Sequence, residues 1–379
     1  MSLPAHDAPP TDLSRALPRA AAVIEQGRRD GLHIGAQLYV SRHLEVLADA
    51  ALGEARPGAP MRTDSIMPWL SAGKPLTAVA IGRLWEQDAL DLDDPVARHI
   101  PEFAANGKEA ITIRHLLTHT AGLRWADVRW PKDSWDEIIA TICEARPEPR
   151  WRPGVTAGYH LATTWFVLGE LVRRLDGRMI DRYVRETIFL PLGMTDSWIG
   201  IPREQVRAYG ERLGVLMNTE DTPAVPQWTD PQRVIEPAPG NNARGPAREL
   251  GAFYEMLLAR GQAGGVRILR PQTVEALTSP NRVGRMDKTF QCVIDWGLGF
   301  IVNSRHYTGG AIPYGFGPHA GRRTFGHGGA QSSIGFCDPD NGLVVVAIFN
   351  GRPGEQKHQA RNEALNRAIY EDLGVAGED

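Results

Sequence analysis

Strand-like segments lie near both ends of this 379-residue chain, and helix-like segments fill the long interval between them. Apolar residues cluster over residues 34–41 and 44–51 with a turn between them, which predicts a hairpin. Further strands are predicted over 296–303, 324–327, 333–337 and 343–350. Because strands from both ends must share a layer to bury their apolar faces, the sequence predicts an α/β (α+β) fold: an antiparallel sheet with a helical insertion.

Helical spacing of apolar residues dominates the interval. It predicts helices over 74–87, 113–117, 135–143, 163–175, 180–189 and 247–258, with terminal helices over 13–26 and 355–373. We therefore expect one catalytic domain over 1–379. Its α/β lobe would comprise about 13–70 and 271–379, its helical lobe about 71–270, and a cleft would separate them.

Composition limits the partners that the chain can have. The net charge of −3, with both signs interspersed, offers no basic face for nucleic acid. No apolar run approaches the ~18 residues that a membrane helix needs, and the first residues lack the pattern of an export signal. We expect a cytoplasmic protein with neither nucleic-acid nor membrane partners, and the sequence leaves the oligomeric state open. Cys143, Cys292 and Cys337 are too few and too widely spaced for a disulfide framework.

Ser71 and Lys74 form the chain's one Ser-x-x-Lys pattern, at the start of a predicted helix. This spacing puts the amine one helical turn from the hydroxyl on the same face. A serine hydroxyl attacks a carbonyl poorly unless a nearby base removes its proton, and a neutral lysine can do so. Since the ordinary lysine pKa is about 10.4, the protein must lower it by roughly 3 units. Burial and a nearby positive charge, such as a protonated His327, are the available causes.

Several other segments follow this pair in a particular order. They are Leu-Asp-Leu-Asp-Asp-Pro-Val at 90–96, His-Leu-Leu-Thr-His-Thr-Ala-Gly-Leu at 115–123, Pro-Leu-Gly-Met-Thr at 191–195, Trp-Gly-Leu-Gly-Phe at 296–300 and Phe-Gly-His-Gly-Gly at 325–329. Together they resemble the serine β-lactamase and penicillin-binding protein superfamily, in its class C-like branch of esterases and transacylases. The resemblance covers roughly residues 30 to 350.

The resemblance implies the remaining catalytic groups. Tyr159, in the segment Pro-Gly-Val-Thr-Ala-Gly-Tyr at 153–159, would be a second base that shares a proton with Lys74. His327 stands where many members have lysine and could act as cation or hydrogen-bond donor. The backbone amides of Ser71 and Ala330 would form the oxyanion hole.

The substrate pocket is implied in the same way. Gly328 and Gly329 would let the strand approach the substrate closely, and Trp125 and Trp130, with Trp135, resemble the wall of an acyl pocket, although core packing is an equal alternative for each. Leu161 stands where lactamases of this family usually have asparagine. Leucine cannot donate a side-chain hydrogen bond, so β-lactam hydrolysis is disfavoured and an apolar pocket is expected.

Metal and cofactor chemistry are not expected. His115 and His119 are spaced as zinc ligands could be, but no third ligand and no metalloprotease glutamate accompany them. The sequence thus predicts a serine acyl-transfer enzyme for a small-molecule acyl substrate, most simply an esterase-type hydrolase of an ester, thioester or amide. The alternatives are a transacylase that passes the acyl group to a second, acceptor substrate, then a β-lactamase, a D-amino-acid peptidase or a non-catalytic binding protein.

Overall fold

The computed structural model of the chain describes residues 10–221, 223–308 and 312–375. The helices are α1 (Leu13–Ala16), α2 (Pro18–Arg29), α3 (Lys74–Glu86), α4 (Ile113–Leu117), α5 (Trp135–Glu144), α6 (Thr163–Asp176), α7 (Ile180–Val184), α8 (Arg203–Tyr209), α9 (Gln232–Ile235), α10 (Ala247–Leu258), α11 (Pro271–Thr278) and α12 (Glu355–Asp372). Residues 1–9, on which the expectation about an export signal depends, lie outside the described residues.

The strands fall into one large sheet and several small ones. They are β1 (Gly35–Arg42), β2 (Glu45–Arg56), β3 (Ala59–Pro60), β4 (Met67–Leu70), β5 (Trp198–Ile199), β6 (Met217–Asn218), β7 (Val225–Pro226), β8 (Ala243–Gly245), β9 (Gln262–Ala263), β10 (Val266–Arg267), β11 (Met286–Asp287), β12 (Cys292–Val293), β13 (Ile301–Val302), β14 (Phe325–Gly329), β15 (Ser333–Asp338), β16 (Leu343–Phe349) and β17 (Gly351–Arg352). The large sheet has the order β13-β14-β15-β16-β1-β2-β3.

The large sheet joins the two ends of the chain. Strand β1 forms the predicted hairpin with β2 and pairs on its other edge with β16, where Leu38 lies opposite Ala347. All neighbouring strands of the large sheet are antiparallel to each other. The predicted antiparallel sheet built from both termini is therefore confirmed.

Side chains alternate between two cores along β16, as a sheet buried on both faces requires. Val345 and Ala347 pack in a cluster with residues of the terminal helices α2 and α12, including Ile24 and Ile369. Val344, Val346 and Ile348 point to the opposite cluster, which contains α10 and the helices around α3. The sheet thus lies between the terminal helices on one face and α10 with the helical region on the other.

The packing differs from the predicted lobes at two helices. Helix α10 lies directly on β1, β15 and β16, although the sequence predicts it in the helical lobe. Gly251 of α10 allows this close contact, because a Cβ there would lie 2.3 Å from the Tyr39 ring. Residue 271 was predicted to begin the strand-rich part, but it begins α11, which packs on α3.

Proline and glycine account for two more differences. The predicted helix over 13–26 is divided into α1 and α2 because Pro18 starts a new helix. The predicted strand over 296–303 is regular only at Ile301–Val302. Gly299, with φ of +87°, bends the preceding chain against Ala78.

In the ranges that the structure describes, no helix has both the length and the apolar character needed to cross a membrane.

Candidate active site

Ser71 lies where a strand turns into a helix. Strand β4 ends at Leu70, whose φ of +52° is unusual for a side-chain-bearing residue and redirects the chain. Ser71–Gly73 form a tight helical turn that leads directly into α3. The turn leaves Ser71 9% exposed, facing a cavity, while the first turn of α3 is buried.

Lys74 is completely buried, and its amine has three polar neighbours. Lys74 Nζ lies 3.1 Å from Ser71 Oγ, 2.8 Å from the carbonyl oxygen of Leu161 and 2.6 Å from that of Gly240. Burial holds the Lys74 pKa well below its ordinary value of 10.5. A neutral amine has two N–H groups, which the two carbonyls accept, and one lone pair, which remains for the Ser71 hydroxyl proton.

Tyr159 completes the group around Ser71 and Lys74. Its ring centroid lies 5.1 Å from Lys74 Nζ, and its hydroxyl interacts with the Ser71 side chain. Burial raises the pKa of the phenol above its ordinary value, while the hydrogen bond with Ser71 acts in the opposite direction. The phenol therefore keeps its proton near neutral pH, so the amine is the better candidate base and the phenol the better proton donor. The shared-proton pair predicted from the sequence remains a prediction.

His327 lies on β14 beside this group, with its ring centroid 5.9 Å from that of Tyr159. Burial, and next the charge of Lys74, lower the pKa of His327 to about 3. The histidine is therefore neutral at physiological pH, and the expectation that a protonated His327 lowers the Lys74 pKa is wrong. Its Nδ1 lies 2.7 Å from the Gly328 carbonyl oxygen, to which it donates, so Nε2 carries the lone pair.

The glycines after His327 serve packing as well as access. A Cβ on Gly328 would lie 2.4 Å from the Tyr314 ring, so the glycine lets that ring close over the strand. A Cβ on Gly329 would lie 2.3 Å from the Trp69 carbonyl oxygen. Gly329 therefore allows close packing against β4, the strand before Ser71, and not access to the cavity. Ala330 lines the cavity together with Ser71, as their predicted roles in the oxyanion hole require.

The cavity above Ser71 has a volume of about 390 Å³. Its lining comprises Ser71, Tyr159, Leu161, Thr289, Phe290, Ile301, Pro313, Tyr314, His327, Gly328, Ala330, Glu355 and Gln359. The sequence analysis missed the members contributed by the segment 289–314 and by α12. No short motif marks them, because they reach the cavity only through the packing of distant segments.

The predicted tryptophan wall is not part of this cavity. Trp125 is 63% exposed, and Trp130 packs on the main core with the Arg233 guanidinium over its ring. Trp135 donates a 2.8 Å hydrogen bond to the buried Glu170 carboxylate. The core-packing alternative fits Trp130 and Trp135, and none of the three tryptophans lines the cavity above Ser71.

His115 and His119 have structural contacts instead of metal-like ones. His115 Nδ1 accepts a hydrogen bond from the Thr112 backbone at the start of α4. His119 Nδ1 accepts one from the His160 backbone, and its ring packs on Trp296. Within residues 10–221, 223–308 and 312–375, no three potential ligands are grouped as a metal site requires.

Comparison with known proteins identifies the family of the chain. The sequence model of the Beta-lactamase family matches residues 20–369. The chain is 28% identical over 369 residues to Esterase EstB of Burkholderia gladioli, covering 89% of this chain and 91% of that protein. It is 26% identical over 362 residues to Esterase/beta-lactamase LipL of Mycobacterium tuberculosis, covering 88% and 80% respectively. The crystal structure of a family VIII carboxylesterase matches with a TM-score of 0.80 at 25% identity, covering 94% of this chain and 98% of that one.

Proposed function

Because the chain belongs to the beta-lactamase family, among its serine hydrolases and acyltransferases, we propose that it hydrolyses a small ester, thioester or amide through an acyl-enzyme on Ser71. The observation that carries the proposal is the buried Lys74 amine, 3.1 Å from Ser71 Oγ, with two carbonyls as its other partners. The cytoplasmic location expected from the sequence belongs to the same proposal and is tested by cell fractionation.

Acylation begins with a proton transfer. The neutral Lys74 amine takes the Ser71 hydroxyl proton as Oγ attacks the substrate carbonyl carbon, and the carbonyl π electrons move to its oxygen. The amides of Ser71 and Ala330 hold the resulting oxyanion, a contribution of about 3 to 4 kcal/mol per donor in comparable enzymes. When the tetrahedral intermediate collapses, the Tyr159 hydroxyl protonates the leaving alcohol oxygen and regains a proton from the Lys74 ammonium.

Deacylation repeats these steps with water as the nucleophile. Lys74, neutral again, takes a proton from water as the water oxygen attacks the acyl carbon, and Ser71 Oγ leaves with a proton returned from Lys74. The net change is one ester and one water converted into one acid and one alcohol. His327 enters this scheme as a neutral group that fixes the β14 backbone, since its Nδ1 donates to the Gly328 carbonyl.

Transfer to an amine or alcohol in place of water is the second candidate. The apolar part of the cavity wall, formed by Leu161, Phe290, Ile301 and Pro313, favours it because such a surface disfavours water and suits an organic acceptor. Product analysis with and without added acceptor alcohols separates the two outcomes. Free acid alone indicates a hydrolase, and a new ester or amide indicates a transacylase.

The decisive experiment is labelling with a fluorophosphonate, followed by intact-mass measurement. We expect one adduct on the natural protein and none on Ser71→Ala. Lys74→Ala and Tyr159→Phe should each slow labelling by roughly 100-fold or more, the usual scale for loss of a general acid or base. Failure of the natural protein to form an adduct would overturn the proposed function.

A further inference from the structure

The cavity above Ser71 contains one formally charged group among its described lining residues. That group is Glu355, the first residue of α12, because His327 is neutral and the remaining lining side chains carry no charge. Ser71, the predicted nucleophile, therefore faces a cavity in which one carboxylate determines the sign of the electrostatic potential.

Two neutral neighbours hold the Glu355 carboxylate at the cavity wall. The Tyr314 hydroxyl donates to it at 3.2–3.3 Å, and the Gln331 side-chain amide donates to it at 3.1 Å. Gln331 is fixed in turn, because its side-chain oxygen accepts a 2.8 Å hydrogen bond from the Gly354 amide. These donors orient the carboxylate without cancelling its charge.

The nearby cations do not neutralise it either. Arg352 interacts electrostatically with Glu355 and also with a second carboxylate, Glu220, and the buried Arg361 guanidinium donates to the Gln331 backbone carbonyl, so neither cation is committed to Glu355. The Arg352 guanidinium itself donates to Gln227 and lies over the Trp228 ring. Within the residues that the structure describes, no ion pair to Glu355 is formed at 4.0 Å or less.

Glu355 already satisfies the usual preference of a helix N-terminus for a negative charge. The N-terminus of an 18-residue helix carries a partial positive charge and attracts anions. A carboxylate on the first residue occupies that position and repels a second anion. The aromatic faces of Phe290 and Tyr314, whose ring centroids are 6.0 Å apart, add surfaces that attract cations.

From these contacts we infer that Glu355 selects substrates by charge: the cavity accepts neutral esters and favours those bearing an ammonium group, and it rejects esters bearing a carboxylate. The inference rests on the proposed function and names the substrate class for it. Carboxylate-bearing β-lactams and peptides that end in a free carboxylate belong to the rejected class.

The test uses two series of esters that differ in charge; within each series the cationic and neutral members have the same shape, and the carboxylate member is smaller. The leaving-group series comprises the acetate esters of choline, of 3,3-dimethylbutanol and of 3-hydroxypropanoate. The acyl series comprises p-nitrophenyl esters of 4-(trimethylammonio)butanoate, of 5,5-dimethylhexanoate and of glutarate. We expect kcat/KM to fall from cationic to neutral to anionic in at least one series, by about fivefold or more per step, the scale of one partly solvated charge pair.

Glu355→Gln is the informative variant, because glutamine keeps acceptor and donor atoms for Tyr314 and Gln331 but removes the charge. The ratio of kcat/KM for cationic to anionic esters should collapse toward one, and that ratio cancels any general loss of activity. Glu363→Gln is the matched control, with the same change of charge on the same helix at a residue paired with Arg367. It should keep the natural ratio. The natural ratio should also shrink as salt is added.

The outcomes separate this inference from the proposed function. Absence of a Ser71 adduct and of ester turnover overturns the proposed function and the inference with it. A normal adduct and normal turnover of the neutral esters, with a charge ratio that Glu355→Gln leaves unchanged, overturns the inference alone. Equal effects of Glu355→Gln and Glu363→Gln would also overturn it, since they would reflect net charge and not the cavity.

Discussion

Lys74 Nζ lies 3.1 Å from Ser71 Oγ and is fully shielded from solvent. Both of the amine's N–H groups have carbonyl acceptors when it is uncharged, so the lone pair has one hydroxyl to act on. A second buried lysine has a different environment. Lys108 Nζ donates to the carbonyls of Ala105, Cys143 and Ala145, with no hydroxyl among these partners.

The two buried lysines provide a matched pair of variants. Lys74→Met should slow fluorophosphonate labelling by roughly 100-fold or more, because the base is lost. Lys108→Met should leave the labelling rate near its natural value but lower the free energy of unfolding by about 1–3 kcal/mol, because buried carbonyls lose their donor. Labelling kinetics and urea denaturation measure the two effects. Equal loss of labelling in both variants would refute the assignment of Lys74 as the base.

The pH profile of kcat/KM should have an acid limb that belongs to Lys74. Burial lowers the Lys74 pKa, and in the proposed mechanism the amine acts as the base only while it is unprotonated, so the rate should fall when acid protonates it. His327, with a pKa of about 3, should add no inflection near neutrality. Steady-state rates on a neutral ester measure the profile. An acid limb that disappears in His327→Gln would contradict this assignment.

Lys74 also gives a prediction about stability. Its pKa is lower in the folded protein than the ordinary 10.5, so between these two values the unfolded chain binds more protons. The free energy of unfolding should therefore rise with pH in that window. The rise should be smaller in Lys74→Met, as urea denaturation at a series of pH values would measure.

Glu249 should make the free energy of unfolding depend on pH with the opposite sign. Burial raises its pKa from 4.5 to about 7, although Ser197 and the Asp196 amide donate to its carboxylate. The folded protein thus binds more protons than the unfolded chain between these values, and the stability from this group is lost as pH rises through about 7. Above that pH, Glu249→Gln should raise the free energy of unfolding by up to about 3 kcal/mol. Glu25→Gln, which alters a surface ion pair with Arg28, should have little effect.

Gly328→Ala should disturb substrate binding without unfolding the protein. The new Cβ would lie 2.4 Å from the Tyr314 ring, so the ring and its hydrogen bond to Glu355 must shift. We expect kcat/KM to fall by about tenfold, the scale of a modest overpacking cost. Adding Tyr314→Ala should relieve the steric conflict and restore the turnover of neutral esters relative to Gly328→Ala. Failure of this rescue would show that Gly328 acts otherwise.

Cephalosporin turnover should be slow in the natural protein because of Leu161, in addition to the effect proposed for Glu355 on the cephalosporin carboxylate. The Leu161 side chain is 45% exposed at the cavity, while its backbone carbonyl accepts from Lys74. Leu161→Asn can therefore add an amide donor without removing that contact, and we expect cephalosporin hydrolysis to rise by about fivefold, the worth of one hydrogen bond. Leu190→Asn, at a similarly exposed leucine, is the control. Rapid hydrolysis by the natural protein would contradict the role given to Leu161.

The features of the structure that could be predicted are those with a local sequence pattern. Ser71 and Lys74 are related by helical spacing, and the sheet strands have strong apolar patterns, so both were accessible from sequence. The Gly240 carbonyl that holds the amine could not be predicted, because a backbone oxygen leaves no residue-type signature. The sequence places Glu355 only at the start of a predicted helix, and its position at the cavity depends on the tertiary fold. The exposure of the Trp125 side chain could not be predicted either, because a local cluster of aromatic residues does not reveal which side chains face solvent.

The carbonyls that flank the Lys74 amine come from Leu161 and Gly240, which lie far along the chain from Ser71. A nascent or truncated polypeptide that has not yet assembled these segments carries only an ordinary alcohol beside an ordinary ammonium ion. In the proposed mechanism, the reactivity of Ser71 therefore depends on the complete tertiary structure, and a misassembled copy should not attack esters. The rate of covalent capture by a fluorophosphonate during refolding would accordingly report completion of the tertiary structure, not formation of the first helix.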